Sequence, residues 1–538
     1  MVVHYSSTQK TKAEGGTGVA EKKRSIVTSA SMVIAVMLAS KLLGFVRQMV
    51  IAGAFGAGVN TDLYFVSSDF MLNLSGALLS ALSTALIARY IEIAVRESKR
   101  AANAVASQML SLFLLIGAVC IVLVNLVAPQ IGRILAPAYT GEEAGELVHY
   151  LRLFSVTFVF TAFQSIYASV LNANDRFTPG KLYGIVYNPI AIASVALFAA
   201  RYGIRVLLWA YFAANLLQTL VLRYCNRNVF EFRPALDFHD ENVRYLIRLS
   251  VPLLLSNLFL QLNSIVDKAL CSYLGEGFAS NYQYASTLEQ FVTSTITATL
   301  SLILLSRYSE YVAKNDTESL MRTFRESVGG LVLLLAPIAL LTGLFARDIV
   351  SIVYLRGEFD ATAAVRTAQA LVGFAVGFPL VAMREMYIRL HLAYQDTKSP
   401  MLANVVTVVL NAALSVVLAH WIGVLGIALA TSLSVVLTIV LLGRSARRYL
   451  PQFRFSALYP AIWRTLAACA AAGAAALLIR HTFPAATTGK MVLLVRFLVC
   501  TACACSVYVA VLLATRCPEL MEALAAVRAR LDKRRERP

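Results

Sequence analysis

Residues 171–179 read Leu-Asn-Ala-Asn-Asp-Arg-Phe-Thr-Pro, and residues 392–400 read Leu-Ala-Tyr-Gln-Asp-Thr-Lys-Ser-Pro. The two stretches match at a leucine, an aspartate, a hydroxyl residue and a proline, at a spacing of 221 residues. A second echo, Phe-Gly-Ala-Gly at 55–58 against Leu-Gly-Glu-Gly at 274–277, has a spacing of 219. Each pair lies between equivalent apolar segments of the two halves. The echoes therefore predict two units in the same orientation, related by an axis along a membrane normal, as occurs in transporters.

The composition between these loops is that of an integral membrane protein. The chain has 538 residues, of which 58% are hydrophobic and 14% charged, with a mean hydropathy of +0.69. Soluble domains carry about 25% charged residues. A membrane-spanning helix needs about 20 mostly apolar residues, and the long unbroken runs exclude a strand barrel. We count fourteen such segments, at 29–55, 62–87, 103–128, 149–171, 183–200, 206–222, 249–273, 282–306, 327–345, 364–392, 401–419, 423–443, 465–480 and 492–515.

The repeat and the segments together predict an all-α polytopic protein. Its about fourteen transmembrane helices would form two pseudo-repeated six-helix lobes followed by two C-terminal helices. The apolar run after the N-terminal tail is too long for a signal-peptide core, so we expect a cytoplasmic tail there. The predicted units are the tail at 1–28, the lobes at 29–228 and 229–448, the last two helices at 449–515, and a basic tail at 516–538.

The distribution of Lys and Arg predicts the orientation. With both termini cytoplasmic, the inner loops and tails hold 33 Lys/Arg and the outer loops hold 7. This bias fits the positive-inside rule, and it supports an even number of spans. We therefore attribute the net charge of +18 to the membrane topology and to contact with anionic lipids, and we do not expect nucleic acid as a partner. We interpret the basic run at 528–537 as a cytoplasmic stop and lipid-facing anchor.

Eight further Lys/Arg lie inside apolar segments, where a charge costs at least about 2.5–3.5 kcal/mol on insertion scales and usually faces a cavity or a partner. They are Lys41, Arg47, Arg152, Lys268, Arg366, Arg384, Arg389 and Arg496. Gly44 lies three residues from both Lys41 and Arg47, which permits close approach of a ligand or another backbone. Cations converging from both halves at Lys41, Arg47 and Lys268 would suit a pyrophosphate, because Arg offers paired donors and Lys a point charge.

Several of these charges have an alternative structural interpretation. Asp62 begins the second span and could simply cap that helix. Asp69 lies two turns deeper and could pair with Arg47 or Lys41, and Glu289 is similarly buried in the eighth span. Arg389 lies near the inner end of its span, where it could extend to the interface, whereas the deeper Arg384 could pair with an acid. The remaining three, near span ends, are predicted interfacial anchors: Arg152, Arg366 and Arg496.

The sequence shows no enzyme-like constellation. It has no phosphate-binding loop, no nucleophile elbow and no soluble domain for a nucleotide. We therefore predict a transporter with no cofactor, driven by a monovalent cation or the membrane potential. Asp267, with an amide such as Asn404, could bind the coupling cation; alternatively, Asp267 neutralises Lys268. Cys500, Cys503 and Cys505 have a metal-like spacing, but they lie inside a span among small residues that favour helix packing.

The ordered motifs resemble the MurJ/MviN family of lipid II flippases. The resemblance runs from about residue 30 to 420 through four cues. They are Lys41-Leu-Leu-Gly-Phe-Val-Arg47 with Thr61-Asp62-Leu-Tyr-Phe-Val66; Leu171-Asn-Ala with Arg176, Pro179 and Asn188; Val266-Asp267-Lys268 with Leu274-Gly-Glu-Gly277; and Tyr354-Leu-Arg-Gly-Glu-Phe359 with the segment 393–400.

The resemblance implies a V-shaped pair of lobes with a cationic central cavity, and a lipid-tail groove formed by the last two helices. It also implies transport of lipid II, an undecaprenyl-pyrophosphate-linked peptidoglycan precursor, from the inner to the outer leaflet of the bacterial inner membrane by alternating access. Arg47 would be the main phosphate contact, with Lys41 and Lys268 assisting. Asp69, Asp62, Glu289 and Arg389 complete the candidate site. Cell-wall synthesis proteins would be candidate partners.

The sequence departs from the family pattern at several charges. The family has Arg where this chain has Lys41, and Asp where it has Gln48. No Lys or Arg occurs between Asp62 and Arg89, and the family's YADRL is Tyr284-Ala-Ser-Thr-Leu288 here. Two expected cavity arginines are thus absent. The alternatives are lipid II held by fewer cations, another lipid-linked glycan, a paralogue of reduced activity, a cation-coupled drug antiporter of the same superfamily, or a non-transporting scaffold.

Overall fold

The computed structural model describes residues 15–452, 459–482, 490–517 and 521. Within these ranges the regular elements are helical, which confirms the predicted all-α class. The helices are α1 (Gly15–Phe55), α2 (Val59–Arg96), α3 (Lys99–Leu135), α4 (Gly141–Ser155), α5 (Thr157–Ala173), α6 (Tyr183–Tyr202), α7 (Val206–Asn226), α8 (Glu241–Leu274), α9 (Phe278–Ala313), α10 (Thr317–Leu344), α11 (Ala346–Tyr354), α12 (Ala361–Ala375), α13 (Phe378–Ala393), α14 (Lys398–Ala446), α15 (Tyr459–Thr482) and α16 (Lys490–Ala514).

The fourteen predicted apolar segments all lie on these helices. In the part of the chain that the structure describes, eight helical stretches are long and apolar enough to cross a membrane, or nine with the bent pair α12–α13. The stretches Pro179–Asn226 and Lys398–Ala446 each contain two predicted segments, joined at Gly203 and Gly423. Three more predicted segments lie on α2, α8 and α9, which are not among the eight. These three helices carry the buried charges described below. The architecture therefore matches the predicted number of segments.

Side-chain caps begin four of the helices. In each case an oxygen of a Ser or Asp accepts a backbone N–H in the first turn, a contact typically worth about 1 kcal/mol. The caps are Ser98 to Ala101 N (3.1 Å), Asp240 to Asn242 N (2.8 Å), Asp316 to Ser319 N (3.0 Å) and Asp360 to Ala363 N (2.7 Å). They fix the starts of α3, α8, α10 and α12.

The repeated loop ends its helix in the same way in both lobes. After α5, Asp175 is left-handed (φ +61°) and the N–H of Arg176 donates to the carbonyl five residues earlier, at 2.8 Å. After α13, Gln395 is left-handed (φ +59°) and Asp396 makes the equivalent bond at 2.9 Å. This pattern is a Schellman C-cap. The left-handed residues differ by 220 positions, so the second loop has one more residue than the first before its proline.

The two lobes meet mainly along four helices, with a further contact of α3 on α8. The first lobe consists of α1–α7, with α1 packed on α6 and α2 on α3 and α5; the second consists of α8–α14, with α9 packed on α12 and α13. Between the lobes, α2 lies along α8 and α1 contacts α9. These are the first two helices of each lobe. The pseudo-repeat therefore brings the two halves of the central site to the same level.

The last two helices, α15 and α16, pack on each other and on α10. Arg496 of α16 donates to Asp348 of α11 at 2.8 Å, and both side chains are about one-tenth exposed. Tyr508 donates to the Leu333 carbonyl at 2.8 Å. The prediction that Arg496 is an interfacial anchor is therefore wrong, because its guanidinium forms a buried ion pair that fixes α16 to the second lobe.

The predicted domain limits lie close to helix ends. Helices α7 and α14 end at Asn226 and Ala446, just before the predicted limits at 228 and 448. Helix α1 begins at Gly15, so part of the segment 1–28 that we predicted as a tail is helical. Most of the predicted basic tail, including the run at 528–537, lies outside the described residues. The division into functional domains stays a prediction.

Candidate functional site between the two lobes

The strongest polar contact between the lobes joins α8 to α2. The Lys268 ammonium donates to Asp69 at 2.5 Å and to the Phe65 carbonyl at 3.0 Å. Lys268 is 6% exposed, so its charge is withdrawn from water. We expected Asp69 to pair with Arg47 or Lys41, and the structure places it on Lys268 instead. The packing of α2 along α8, which no sequence pattern reveals, brings this pair together.

Asp267 points away from its neighbour Lys268, because consecutive residues lie on different faces of a helix. Its carboxylate accepts from Tyr282 at 2.9 Å and from Ser415 at 3.2 Å, inside the second lobe. Asn411, one turn before Ser415, is fully buried, and its amide oxygen has no partner among the described residues. Asp267, Tyr282 and Ser415 thus bring oxygen atoms together, and Asn411 lies one helical turn from Ser415 on α14. We had predicted Asn404 as its companion, whereas the side chains that bond to Asp267 are those of Tyr282 and Ser415.

Arg47 occupies an aromatic pocket of the first lobe. Its guanidinium carbon lies 4.7 Å from the ring centroid of Tyr187, a cation–π contact. Tyr187 stacks on Tyr183 with centroids 5.6 Å apart, and its hydroxyl lies 3.4 Å from that of Tyr64. The Nε of Arg47 is buried and has no hydrogen-bond partner among the described residues. Arg47 as a residue is half-buried, and a guanidinium with a donor left unpaired is suited to bind an anion.

Lys41 lies one and a half turns before Arg47, at the contact between α1 and α9. Its ammonium donates to the Ser294 hydroxyl at 2.8 Å. Along the same contact, Phe45 stacks on Phe291 with centroids 5.1 Å apart. Lys41 is therefore a cation whose partner is a neutral hydroxyl, so its charge stays available. Sequence reasoning missed Ser294, because a hydroxyl in an apolar helix commonly bonds only its own backbone.

Gly44 serves the packing of α1 on α6. The position where its Cβ would lie is 3.5 Å from the amide of Asn188, which itself donates to the Ser40 carbonyl at 3.0 Å. Nearby, a Cβ on Gly184 would lie 2.7 Å from the Ser40 side chain. The predicted close approach is thus made by a neighbouring helix. This packing orients α1 so that Arg47 faces the tyrosines.

Asp62 joins the lobes at the predicted outer end. It accepts from the backbone N–H of Gly277 at 2.8 Å and of Ser280 at 2.7 Å, from the Ser280 hydroxyl, and from the Tyr139 hydroxyl at 2.6 Å. Burial and the Asp62 carboxylate raise the pKa of Tyr139, so that its hydroxyl stays protonated and donates. Asp62 therefore caps α9 of the other lobe. The alternative that it caps its own helix is wrong, since the N-cap of α2 is Gly58 without a side-chain bond.

The two glycine-rich echoes are in direct contact beside Asp62. Gly277 is left-handed (φ +79°), and a Cβ there would lie 2.6 Å from the Ala57 carbonyl, so only glycine fits both the backbone and the contact. Tyr284 donates to the Gly56 carbonyl at 2.9 Å, and Glu358 N–H donates to Gly53 at 3.0 Å. The turn that follows the first helix of each lobe therefore closes the outer end of the site.

A second group of charges lies in the second lobe, on α9 and α13. Glu385 pairs with Arg384 at 3.2 Å and with Arg389 at 3.5 Å. The Nε atoms of both arginines are buried without a partner among the described residues. Glu289 accepts from the Thr293 hydroxyl at 2.9 Å. The cluster therefore has two cations and two acids, and what it keeps is the two Nε donors that have no partner among the described residues.

The remaining predicted anchors behave differently from each other. Arg152 is exposed. Arg366 donates to the Glu276 carbonyl at 3.0 Å and lies 4.4 Å above the Phe278 ring, so it supports the turn between α8 and α9. Within the described residues, no group of three or more His, Cys, Asp or Glu could hold a metal ion. Cys500 is buried between α15 and α16, in agreement with a packing role.

Comparison with known proteins identifies the family. A family model described as lipid II flippase MurJ matches residues 51–497. A probable lipid II flippase MurJ from Rickettsia prowazekii is 26% identical over 408 residues, which cover 73% of this chain and 78% of the relative. Its counterpart from Thermotoga maritima is 26% identical over 446 residues, which cover 82% and 89%.

Solved structures agree at the level of the fold. A lipid II flippase MurJ in an inward closed conformation superposes with a TM-score of 0.75 at 20% identity, and the match covers 89% of this chain and 97% of that one. An inward-facing multidrug resistance transporter of the MATE family gives 0.65 at 14% identity, covering 81% and 98%. The family model spans most of the chain. This protein therefore belongs to the lipid II flippase MurJ family.

Proposed function

We propose that this protein is a flippase that moves lipid II, an undecaprenyl-pyrophosphate-linked peptidoglycan precursor, from the inner to the outer leaflet. The observation that carries the proposal is Arg47, a half-buried residue whose guanidinium lies over the ring of Tyr187 and whose Nε has no hydrogen-bond partner among the described residues. A pyrophosphate accepts paired hydrogen bonds from such a group. The family assignment supports the same substrate.

The cations around Arg47 would share the pyrophosphate. Among the described residues, the Lys41 ammonium bonds only to the Ser294 hydroxyl, so it can turn to an anion without leaving a buried acid unpaired. Lys268 is already paired with Asp69. A bound pyrophosphate would compete with that carboxylate for the ammonium. We propose that this exchange loosens the contact between α2 and α8, so that substrate binding favours rearrangement of the lobes.

The cluster on α13 offers a replacement for the cavity arginines that the sequence lacks. Arg384 and Arg389 each keep a free Nε while sharing Glu385. We propose that a phosphate of the headgroup competes with Glu385 and Glu289 for these two guanidinium groups and accepts hydrogen bonds from their free donors.

Transport would require the outer end to open. In the structure, Asp62, Gly277 and Tyr284 close that end with hydrogen bonds between the lobes. Alternating access then means that these contacts break while others form at the inner end. Their number is small, and most use backbone groups that water can replace when the seam opens. We propose that Asp62 acts in this closure and has no direct contact with substrate.

The lipid tail would lie against α16. An apolar cavity of about 200 Å³ is lined by side chains of α9, α10, α11, α12, α13 and α16, among them Phe291, Leu494 and Phe497. Phe291 also stacks on Phe45, next to Lys41. Phe291 therefore separates the cavity from the neighbouring contact between α1 and α9, where Lys41 lies. We propose that the first isoprene units of the undecaprenyl chain enter here while the pyrophosphate meets the cations.

We propose that the cluster around Asp267 holds a coupling monovalent cation. Asp267, Ser415 and Tyr282 bring oxygen atoms together, and the unpartnered amide oxygen of Asn411 fits a cation better than an empty core. Adding sodium in place of potassium should raise the thermal midpoint of the purified protein. Asp267→Asn should abolish that difference, and an equal sodium response in Asp267→Asn would refute the cation site.

A drug antiporter is the main rival, and it would use buried acids for cationic substrates. Asp69 is neutralised by Lys268, and Asp62 is saturated by donors. The unpaired donors in the site are instead cationic, so an anionic headgroup is favoured. We further propose a bacterial inner-membrane location with both termini cytoplasmic, where anionic lipids and cell-wall synthesis proteins would be neighbours.

The deciding experiment is conditional depletion of the protein with rescue by variants, scored as lipid II exposed on the outer leaflet. Wild type should restore exposure, and Arg47→Ala should not, although it reaches the membrane at normal levels. Arg133→Ala, at an exposed arginine in the last turn of α3, is the matched control and should rescue. Continued exposure after depletion would refute the lipid II assignment, and then other lipid-linked glycans should be measured.

A further inference from the structure

A basic cavity lies at the end of the first lobe that is far from Asp62. It is formed between the start of α3 and the segment 227–240, which links the lobes. Its volume is about 590 Å³. Four cations line it, namely Lys99, Arg100, Arg227 and Arg233, against one acid, Glu231. The only ion pair described within this set joins Arg233 to Glu231 at 3.3 Å, and both side chains are exposed. The cavity therefore keeps a net positive charge.

The walls of this cavity are fixed by hydrogen bonds, unlike those of a mobile loop. Asn103 of α3 donates to the Val229 carbonyl at 2.8 Å and accepts from the Tyr90 hydroxyl at 2.7 Å. The backbone N–H of Arg233 donates to the Ser107 hydroxyl at 3.3 Å. Phe230 is buried beneath. The linking segment is thus attached to α3, and the cations are held around a formed space.

An apolar track leads to the cavity along α7. Leu216, Leu220 and Tyr224 are 53%, 51% and 63% exposed, and they follow one face of the helix at intervals of four residues. Arg227, just past the end of α7, stacks on Tyr224 at 4.2 Å. A ligand with both an acyl chain and an anionic head would match this sequence of surfaces. A small soluble anion would make no contact with this apolar surface.

We propose that this cavity binds the phosphate-bearing headgroup of an anionic phospholipid of the inner leaflet, with an acyl chain along α7. Basic pockets at this level of membrane proteins suit such headgroups. The inference rests on the proposed orientation of the protein, in which this end is cytoplasmic. Because the segment 227–240 leads into α8, a bound lipid would also hold that segment on α3. The site is separate from the central cations.

The test measures lipids retained by the full-length, detergent-purified protein, using native mass spectrometry. Phosphatidylglycerol is compared with phosphatidylcholine of the same acyl chains. Wild type should retain phosphatidylglycerol preferentially. Arg227→Gln combined with Arg233→Gln should weaken its retention by roughly tenfold or more, since each cation near a membrane surface contributes about 1 kcal/mol. The charge-conserving pair Arg227→Lys and Arg233→Lys should retain most of it.

The pseudo-repeat provides a matched control. Arg447 and Arg448 are exposed and follow the end of α14 as Arg227 follows α7. Arg447→Gln combined with Arg448→Gln should leave retention unchanged. Equal loss in both glutamine pairs, or no loss in the first, would overturn the site. Displacement of the lipid by excess inorganic phosphate from wild type would overturn the lipid assignment in favour of a soluble anion. Transport is not measured, so failure of the flippase proposal would leave these results interpretable.

Discussion

Lys268 and Asp69 form a 2.5 Å ion pair that joins the two lobes in the middle of the protein. The pair was not foreseen, because the residues lie 199 positions apart and on different halves of the repeat. In this conformation the pair neutralises Lys268, one of the three candidate phosphate-binding cations. The positive charge that remains free comes mainly from Arg47 and Lys41. Two roles of the pair can therefore be tested: it should stabilise the folded protein, and a bound pyrophosphate should compete with Asp69 for Lys268.

Breaking the pair should destabilise the protein strongly. Lys268→Ala leaves the Asp69 carboxylate without its partner, and removing one partner of a buried ion pair typically costs about 3–5 kcal/mol. We expect a clear drop in the thermal midpoint of unfolding in detergent. Asp69→Asn combined with Lys268→Met should recover much of it, because no charge is then left unpaired. The exposed pair Lys314–Glu310 is the control, and Lys314→Ala should shift the midpoint little.

Weakening the outer closure should expose Cys271. This cysteine is fully buried on α8, close to Asp62. Asp62→Asn removes the carboxylate charge that accepts from four donors, so the turns at the outer end should separate more often. In a variant whose other cysteines are serine, a membrane-impermeant maleimide should label Cys271 faster than in the same background with Asp62. Asp360→Asn, at a cap outside the seam, is the control; equal labelling in all three proteins would contradict the closure.

The ring of Tyr187 should be needed to position Arg47. Tyr187→Ala removes a cation–π contact worth about 0.5–2 kcal/mol, so the guanidinium should lose its fixed orientation. We expect lower lipid II exposure in the rescue assay with Tyr187→Ala. Tyr187→Phe keeps the ring and should rescue nearly as wild type does. If Tyr187→Phe fails as badly as Tyr187→Ala, the hydroxyl contact with Tyr64 matters more than the ring.

Helix α16 should detach when its buried ion pair is removed. Arg496→Gln leaves Asp348 without its cation, so α15 and α16 should pack less firmly on the second lobe. Limited proteolysis should then cut between α14 and α15 sooner than in wild type. The exchange of charges, Asp348→Arg with Arg496→Asp, should restore part of the resistance. Unchanged proteolysis in Arg496→Gln would show that apolar packing around Cys500 suffices.

Sequence reasoning predicted the helices and the repeat well and the contacts poorly. Apolar length identifies a membrane helix, because every backbone group must bond within the segment. The loop echoes located the equivalent turns, including the contact of Gly277 with Ala57. The partners of Asp62, Asp69 and Asp267 were not predicted, since each depends on how helices distant in sequence pack. Two of them had a local alternative, and neither describes the structure: Asp62 does not cap its own helix, and Lys268 is paired with Asp69 and not with Asp267.

The sequence by itself determined the all-helical membrane class, the two pseudo-repeated lobes, the family and the identity of the candidate cations. These follow from local composition, periodicity and motif order, which do not depend on distant contacts. Only the tertiary structure decided which charges are neutralised and which remain free. Lys268 is paired and Arg47 is stacked on Tyr187 because α2 meets α8 and α1 meets α6 at a particular rotation and depth. Those geometries arise from the packing of whole helices, which no single segment encodes.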